Sequence, residues 1–253
     1  MKHIPICLQL FSVREELAKD FEGTLAAVKA MGYDGVEFFG AYEKDPSYYK
    51  KAASNAGLLI AGWHTQYAAV APDRLNDTIA FNKALCNEFV VVPALPKDLC
   101  RSIADWEAVA DRFNEISAVL RQNGLRLGYH NHAVEFAKID GVTPWYAFFD
   151  RADKEIIMQL DTGNAMSGGA NVEQVLARYP GRSWSIHIKP FKYGVPNGME
   201  TIMGEDSQPY ETIKAHCENG VTQFYIIEYE CKTLYSEFDG ARLCLDALKA
   251  KGF

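Results

Sequence analysis

No Cys-x-x-Cys pair occurs among the six cysteines Cys7, Cys86, Cys100, Cys217, Cys231 and Cys244. Neither a zinc knuckle nor a dithiol redox motif is therefore expected, and the cysteines read as reduced core residues of a reducing compartment. No apolar run approaches the length of a signal-peptide core or a membrane span, and the opening residues Met1 to Cys7 are expected to lead straight into a strand. A soluble, cytoplasmic chain without a membrane partner is the expectation. Basic charge is also short, with 26 Lys and Arg against 33 Asp and Glu for a net charge of -7. That balance argues against general attraction to phosphate backbones, so nucleic acid is not an expected partner. Linkers, low-complexity tracts and close internal repeats are missing too, which leaves one catalytic domain over residues 1–253 as the expected organisation.

What is present is alternation. Short apolar segments read as strands at Ile4–Leu10, Gly35–Phe39, Leu58–His64, Phe89–Pro93, Leu125–His130, Ile156–Asp161, Ser183–Lys189 and Phe224–Tyr229. Amphipathic segments between them centre on Phe21–Met31, Tyr48–Ala56, Asp73–Cys86, Ile103–Gln122, Pro144–Asp150, Val172–Tyr179, Tyr210–Asn219 and Phe238–Lys249. Asn123-Gly124 and Asn219-Gly220 are expected to close helices through a left-handed glycine, and Thr143-Pro144 to open one. Eight βα units in 253 residues predict an α/β chain folded as a single (β/α)8 TIM barrel, whose catalytic groups gather at the carboxyl ends of the strands.

Successive side chains of a strand point to opposite faces. The phase that packs Leu125, Leu127 and Tyr129 on helices sends Arg126, Gly128 and His130 to the barrel axis. Gln9, Glu37, His64, Gln159, Asp161, Ser185, His187, Lys189 and Glu228 share that inward phase. His130, Asp161, His187 and Glu228 then end the last four strands at one rim. Imidazole nitrogen with carboxylate oxygen and no cysteine suits one divalent ion such as Mn, Co, Mg or Zn. Any one of these residues alone could be a turn former or a core histidine; four in strand order are hard to explain by packing, because buried polar groups cost free energy unless paired.

Several stretches carry a resemblance: Gly-Leu-Arg-Leu-Gly-Tyr-His-Asn-His-x-x-Glu-Phe (residues 124–136), Gln-Leu-Asp-Thr-Gly-Asn (159–164), His-Ile-Lys (187–189) and Ile-Ile-Glu-Tyr-Glu (226–230). With Leu-Gln-Leu-Phe-Ser-Val-Arg (8–14) and Gly-Tyr-Asp-Gly-Val-Glu-Phe-Phe-Gly (32–40) they resemble, in order and over nearly the whole chain, the sugar phosphate isomerase/epimerase family of xylose-isomerase-like barrels. The resemblance implies metal ligation by Asp161, His187 and Glu228. The position usually held by a glutamate, which also serves as a base in the epimerases, falls on His130, with Glu135 or His132 as alternative ligands. Asn164 stands where the endonuclease branch has a histidine, and no Asp-x-His follows His187; one metal and no abasic-site cleavage are expected.

Around the ion, Glu228, His64 and Glu135 are the candidate bases and Lys189 an oxyanion stabiliser. Gln9, Glu37, His132 and Trp63 are the candidate substrate contacts, with Tyr67, Trp145 and Phe191 as further aromatic faces. The leading expectation is proton abstraction next to the carbonyl of a ketose-like carbohydrate, giving isomerisation or epimerisation. Elimination from a keto-inositol or 3-keto-glycoside is the alternative, and a non-catalytic sugar-binding barrel, possible as a homo-oligomer like either enzyme, the third reading. Alanine at His187 or Glu228 is expected to abolish turnover with the fold intact.

Overall fold

The β-branched and aromatic residues that fill the apolar segments suit a pleated, buried surface. In the computed structural model, which describes residues 3–253, they form β1 (Ile6–Gln9), β2 (Gly35–Phe39), β3 (Leu59–His64), β4 (Phe89–Val92), β5 (Arg126–His130), β6 (Ile157–Gln159), β7 (Ser185–Ile188) and β8 (Phe224–Ile227). The part of the opening-strand expectation that concerns Met1 and Lys2 lies outside the described residues. Parallel pairing runs β6-β5-β4-β3-β2-β1-β8-β7, and a parallel bridge from Asp161 to His187 closes the circle. The fold is the expected (β/α)8 barrel. Its helices are α1 (Arg14–Lys19), α2 (Phe21–Met31), α3 (Pro46–Ala56), α4 (Leu75–Leu85), α5 (Ile103–Gln122), α6 (Pro144–Arg151), α7 (Thr162–Ser167), α8 (Val172–Arg178), α9 (Tyr210–Glu218) and α10 (Glu237–Ala250). Among the described residues no helix is long and apolar enough to cross a membrane, and all six cysteines are free.

Several boundaries differ from the sequence reading for local reasons. α3 begins at Pro46, earlier than Tyr48, because the Asp45 side chain accepts from Ser47 N at 2.8 Å and proline fits the first turn. β6 stops at Gln159 because Asp161 turns to cap the short α7. Gly124 takes the expected left-handed conformation at φ 76°. Gly220 does not; it is held instead by a close approach, since a Cβ there would meet His216 O at 2.7 Å. Thr143 is the residue before α6, but its side chain makes no cap bond.

Two apolar layers position the site. Outward-facing strand residues pack on the helices, as where the Trp63 ring meets Tyr49 of α3 and Phe81 of α4 with ring centroids 5.0 and 5.1 Å away. Inside the barrel, Cys7, Ala61 and Ile226 form one cluster and Phe89, Val91 and Ile157 another, with Trp184 and Phe224 against them. This filling makes the interior a packed core, so polar groups near the axis sit above it, at the strands' carboxyl ends. The β2–β3 register slips between Val36 and Glu37, leaving Ala61 as the extra residue. That bulge lets Gly62 face Glu37, whose Oε1 would lie 2.8 Å from a Cβ there.

Candidate active site

Asp161 does two jobs at the seam. Its Oδ1 accepts the Asn164 amide at 2.7 Å, capping α7, so the turn expected of Asp-Thr-Gly-Asn is present as well. Its Oδ2 is buried with no hydrogen-bond partner, and burial pushes the carboxyl pKa up to about 7. Asn131 pins the same backbone: its Oδ1 accepts from Asp161 N at 2.8 Å and its Nδ2 donates to Asp161 O at 3.1 Å.

His187 lies opposite, on β7, between two carboxylates. Nδ1 is 2.8 Å from Glu228 Oε2 and 4.0 Å from Asp161 Oδ2, while Nε2 is 2.7 Å from Glu37 Oε2. Burial alone would lower its pKa, but the Glu37 and Glu228 charges and hydrogen bonds push it up to about 10. Burial drives His130 the other way, well below the usual imidazole range, with the neighbouring His187 and His64 adding to the shift. Burial would raise Glu228, but the Lys189 and His187 charges hold it well below the usual carboxylate range. Lys189 Nζ donates to Glu228 Oε1 at 3.0 Å and also to Glu230.

Ligand atoms of His130, Asp161, His187 and Glu228 all lie within 4.8 Å of one another, as do those of His64, His130 and His187. Two ligands on opposite sides of an ion at ~2.1 Å each are ~4.2 Å apart, so only slight contraction would be needed. The orphaned Asp161 Oδ2 and the N2O2 donor set both fit a divalent ion, and His130, Asp161, His187 and Glu228 are the residues that could hold it.

The other sequence candidates divide. Gln9, Glu37 and His64 join this group, with Glu37 buried among hydrogen-bond donors. His132 is exposed at the mouth, its ring 5.3 Å from that of His130. Glu135 does not join: Oε1 accepts from Tyr129 Oη and Oε2 from His132 N, both at 2.8 Å. Tyr129 belongs to the outward-facing set, so it holds this carboxylate outside the barrel wall. Trp63 faces outward too, its Nε1 donating to Gly40 O at 2.9 Å. Trp145 is fully buried in the aromatic core, Tyr67 stacks on Phe113, and Phe191 packs closely over Gly198. Sequence reasoning assigned no role to Gln159, Ser185, Asn131 or Glu230. Strand phase had placed the first two inside, but nothing in a linear sequence reveals which partners an amide or hydroxyl meets.

Beside the group, Lys189, which contacts Glu228, and Asn164, which contacts Asp161, help line a cavity of about 330 Å³ with Asn197, Glu200, Glu230 and Lys232. Gly163 lets α7 approach the end of β7 closely, since a Cβ there would meet Lys189 O at 2.6 Å. Gly163→Ala is expected to force α7 away from the end of β7, lowering stability by ~1–3 kcal/mol and turnover with it; melting temperature and initial rates would check both.

An inosose dehydratase from Clostridium botulinum (strain Alaska E43 / Type E3) is 24% identical, covering 83% of this chain and 82% of its own. The crystal structure of a sugar phosphate isomerase/epimerase from Parabacteroides distasonis superposes with a TM-score of 0.80 at 23% identity, over 96% of this chain and 97% of that one. A probable 3-DHS dehydratase from Bacillus anthracis superposes with a TM-score of 0.72 at 12% identity, covering 99% of each chain. At these identities the structural likeness is one of fold. The family model described as xylose isomerase-like TIM barrel matches residues 25–250, so the chain belongs to that family.

Proposed function

We propose that this chain is a divalent-metal-dependent lyase that takes the proton beside the carbonyl of a small, uncharged cyclic keto-polyol and expels the β-oxygen. A keto-inositol or a 3-keto-glycoside is the substrate class. The observation that carries the reading is the buried Asp161 Oδ2 without a partner, facing His187 and Glu228. A Mn, Co, Mg or Zn ion held there would supply Lewis-acid polarisation of the substrate carbonyl.

The chain's own groups do the rest. His64 takes the proton. Its Nε2 is 2.7 Å from Gln159 Oε1, and Nδ1 has no hydrogen bond among the described residues, so the ring is oriented at one nitrogen and free at the other. The electron pair left at the α-carbon forms the new C=C bond as the β C–O bond breaks. The departing oxygen receives a proton from His132 at the mouth and leaves as water or an alcohol. Lys189 sets a positive charge beside the developing enolate.

Two features favour elimination of an uncharged substrate. Epimerisation needs acid–base groups on both faces of the reacting carbon; the expected glutamate is His130 here, and Glu135 has both oxygens engaged. The lysines of the cavity, Lys189 and Lys232, are balanced by Glu228 and Glu230 and by Glu15 and Glu237, so the cavity carries no net positive charge to favour a phosphate. The names of the dehydratase relatives agree with this reading. Isomerisation or epimerisation is the second reading, favoured by the name of the Parabacteroides neighbour.

The test is incubation of the Mn²⁺- or Co²⁺-loaded protein with a 2-keto-inositol and with an aryl 3-keto-glucoside in D2O. Release of water or aglycone with appearance of an enone absorbance supports the lyase. Deuterium exchange at the α-carbon without loss of a leaving group supports the isomerase instead. His64→Asn is expected to slow turnover by ~10²–10⁴-fold with little change in metal content; wild-type rates in that variant would remove His64 from the mechanism.

A further inference from the structure

Glu37 lies on β2, a strand that contributes none of the four grouped ligands. Its carboxylate is nevertheless the most heavily contacted acceptor in the site. Oε1 accepts from Gln159 Nε2 at 2.7 Å; Oε2 accepts from Gln9 Nε2 and His187 Nε2, each at 2.7 Å, with His64 Nε2 at 3.1 Å. The carboxylate is fully buried beneath these donors, which sets it behind the site and not in the substrate-contact role the sequence had suggested.

An ionised carboxylate only accepts hydrogen bonds. Gln159 must therefore turn its NH2 end toward Glu37, and the second hydrogen of that NH2 goes to Ser185 Oγ at 2.9 Å. Its carbonyl oxygen is thereby fixed on the opposite side. There it meets His64 Nε2 at 2.7 Å and His130 Nδ1 at 3.2 Å. A carbonyl oxygen also only accepts, so both rings must donate to it. His64 then carries its hydrogen on Nε2 and His130 on Nδ1, leaving lone pairs on His64 Nδ1 and His130 Nε2. His187 is set directly: its Nε2–H points at Glu37, and Nδ1 is the nitrogen turned toward Glu228 and Asp161.

We propose that Glu37 is a positioning residue whose single negative charge fixes which nitrogen His64 and His130 offer to the reacting centre and holds the Nε2–H of His187. It acts on His187 directly, on His64 both directly and through the amide of Gln159, and on His130 through that amide alone. Partners of this kind orient metal-binding imidazoles and sharpen their affinity. The tautomers follow from the hydrogen-bond geometry alone; their consequence for ion binding rests on the metal reading above.

The experiment labels histidine with ¹⁵N in the full-length, metal-free protein and reads each ring by long-range ¹H–¹⁵N correlation. Wild type is expected to show His64 as the Nε2–H form and His130 as the Nδ1–H form. Glu37→Gln removes the constraint on the Gln159 amide, and both rings should become mixtures of tautomers. Gln159→Met preserves side-chain length and leaves Glu37 in place; there His130 should relax, while the Nε2–H of His187 and, through its direct contact with Glu37, that of His64 persist. In parallel, Mn²⁺ and Co²⁺ titrated calorimetrically should bind Glu37→Gln ~10–100-fold more weakly than wild type. An unchanged His130 tautomer in either folded variant, or an unchanged His64 tautomer in Glu37→Gln, would overturn the proposal, whatever the ion does. If tautomers respond as described but wild type binds neither ion, the positioning role stands and the metal reading fails.

Discussion

Asp161→Asn is expected to abolish divalent-ion binding and turnover while leaving the metal-free barrel at least as stable as wild type. The asymmetry of its two oxygens is the reason. Oδ1 caps α7 through Asn164 N, and an asparagine oxygen accepts the same bond. Oδ2 is buried without a partner, in surroundings that already push the carboxyl pKa up to about 7. Replacing that oxygen by NH2 removes a charge that the metal-free protein must desolvate, and offers a donor to the nearby carboxylate of Glu228. Ion affinity should fall by more than the ~10–100-fold typical of outer partners. The several kcal/mol of charge stabilisation that a bound divalent ion supplies corresponds to roughly 10³-fold in turnover.

Asp161→Ala separates the two roles. It loses the ion and also the cap, at ~1 kcal/mol of stability. Elemental analysis, calorimetry and thermal melts of the pair would read both effects. An asparagine variant that binds Mn²⁺ or Co²⁺ like wild type would leave Asp161 with the cap alone.

The barrel was legible because strand alternation needs no tertiary information. Leu127 and Tyr129 against Gly128 and His130 already distinguish helix-facing from axis-facing positions. The same rule brought Gln9, Glu37, His64, Gln159, Ser185 and His187 to one rim. Applied consistently it also argues against Trp63 as a substrate contact, since the neighbour of an inward His64 faces outward; its ring packs on Phe38 and Tyr49. Glu135 was not legible in this way. It follows His130 and His132 closely in sequence, but the turn Val134–Phe136 carries it over the wall to Tyr129. The Ala61 bulge was equally hidden, because an extra strand residue leaves the local pattern almost unchanged. The largest gap lay in Gln159. Phase placed it inside, but its function depends on which way an amide is turned, and that is decided by Glu37 more than a hundred residues away.

His187→Ala is expected to destabilise the metal-free protein by ~3–5 kcal/mol as well as to end turnover, which revises the expectation that the fold would tolerate it. In the barrel the imidazole is a buried cation 2.7 Å from Glu37 and 2.8 Å from Glu228. Removing it leaves Glu228 with Lys189 as its counter-charge, and leaves Glu37 with the Gln9 and Gln159 amides and the His64 ring. The cost arises from stranding buried carboxylate, more than from losing favourable contacts. The double variant His187→Ala/Glu37→Gln should therefore be more stable than His187→Ala alone, because the stranded charge is gone. Such non-additivity is the signature of a direct pair. Chemical denaturation of wild type, both single variants and the double variant closes the cycle. If His187→Ala unfolds at the wild-type denaturant midpoint, or if Glu37→Gln costs the same with and without His187, the ring does not act as the counter-charge of that carboxylate.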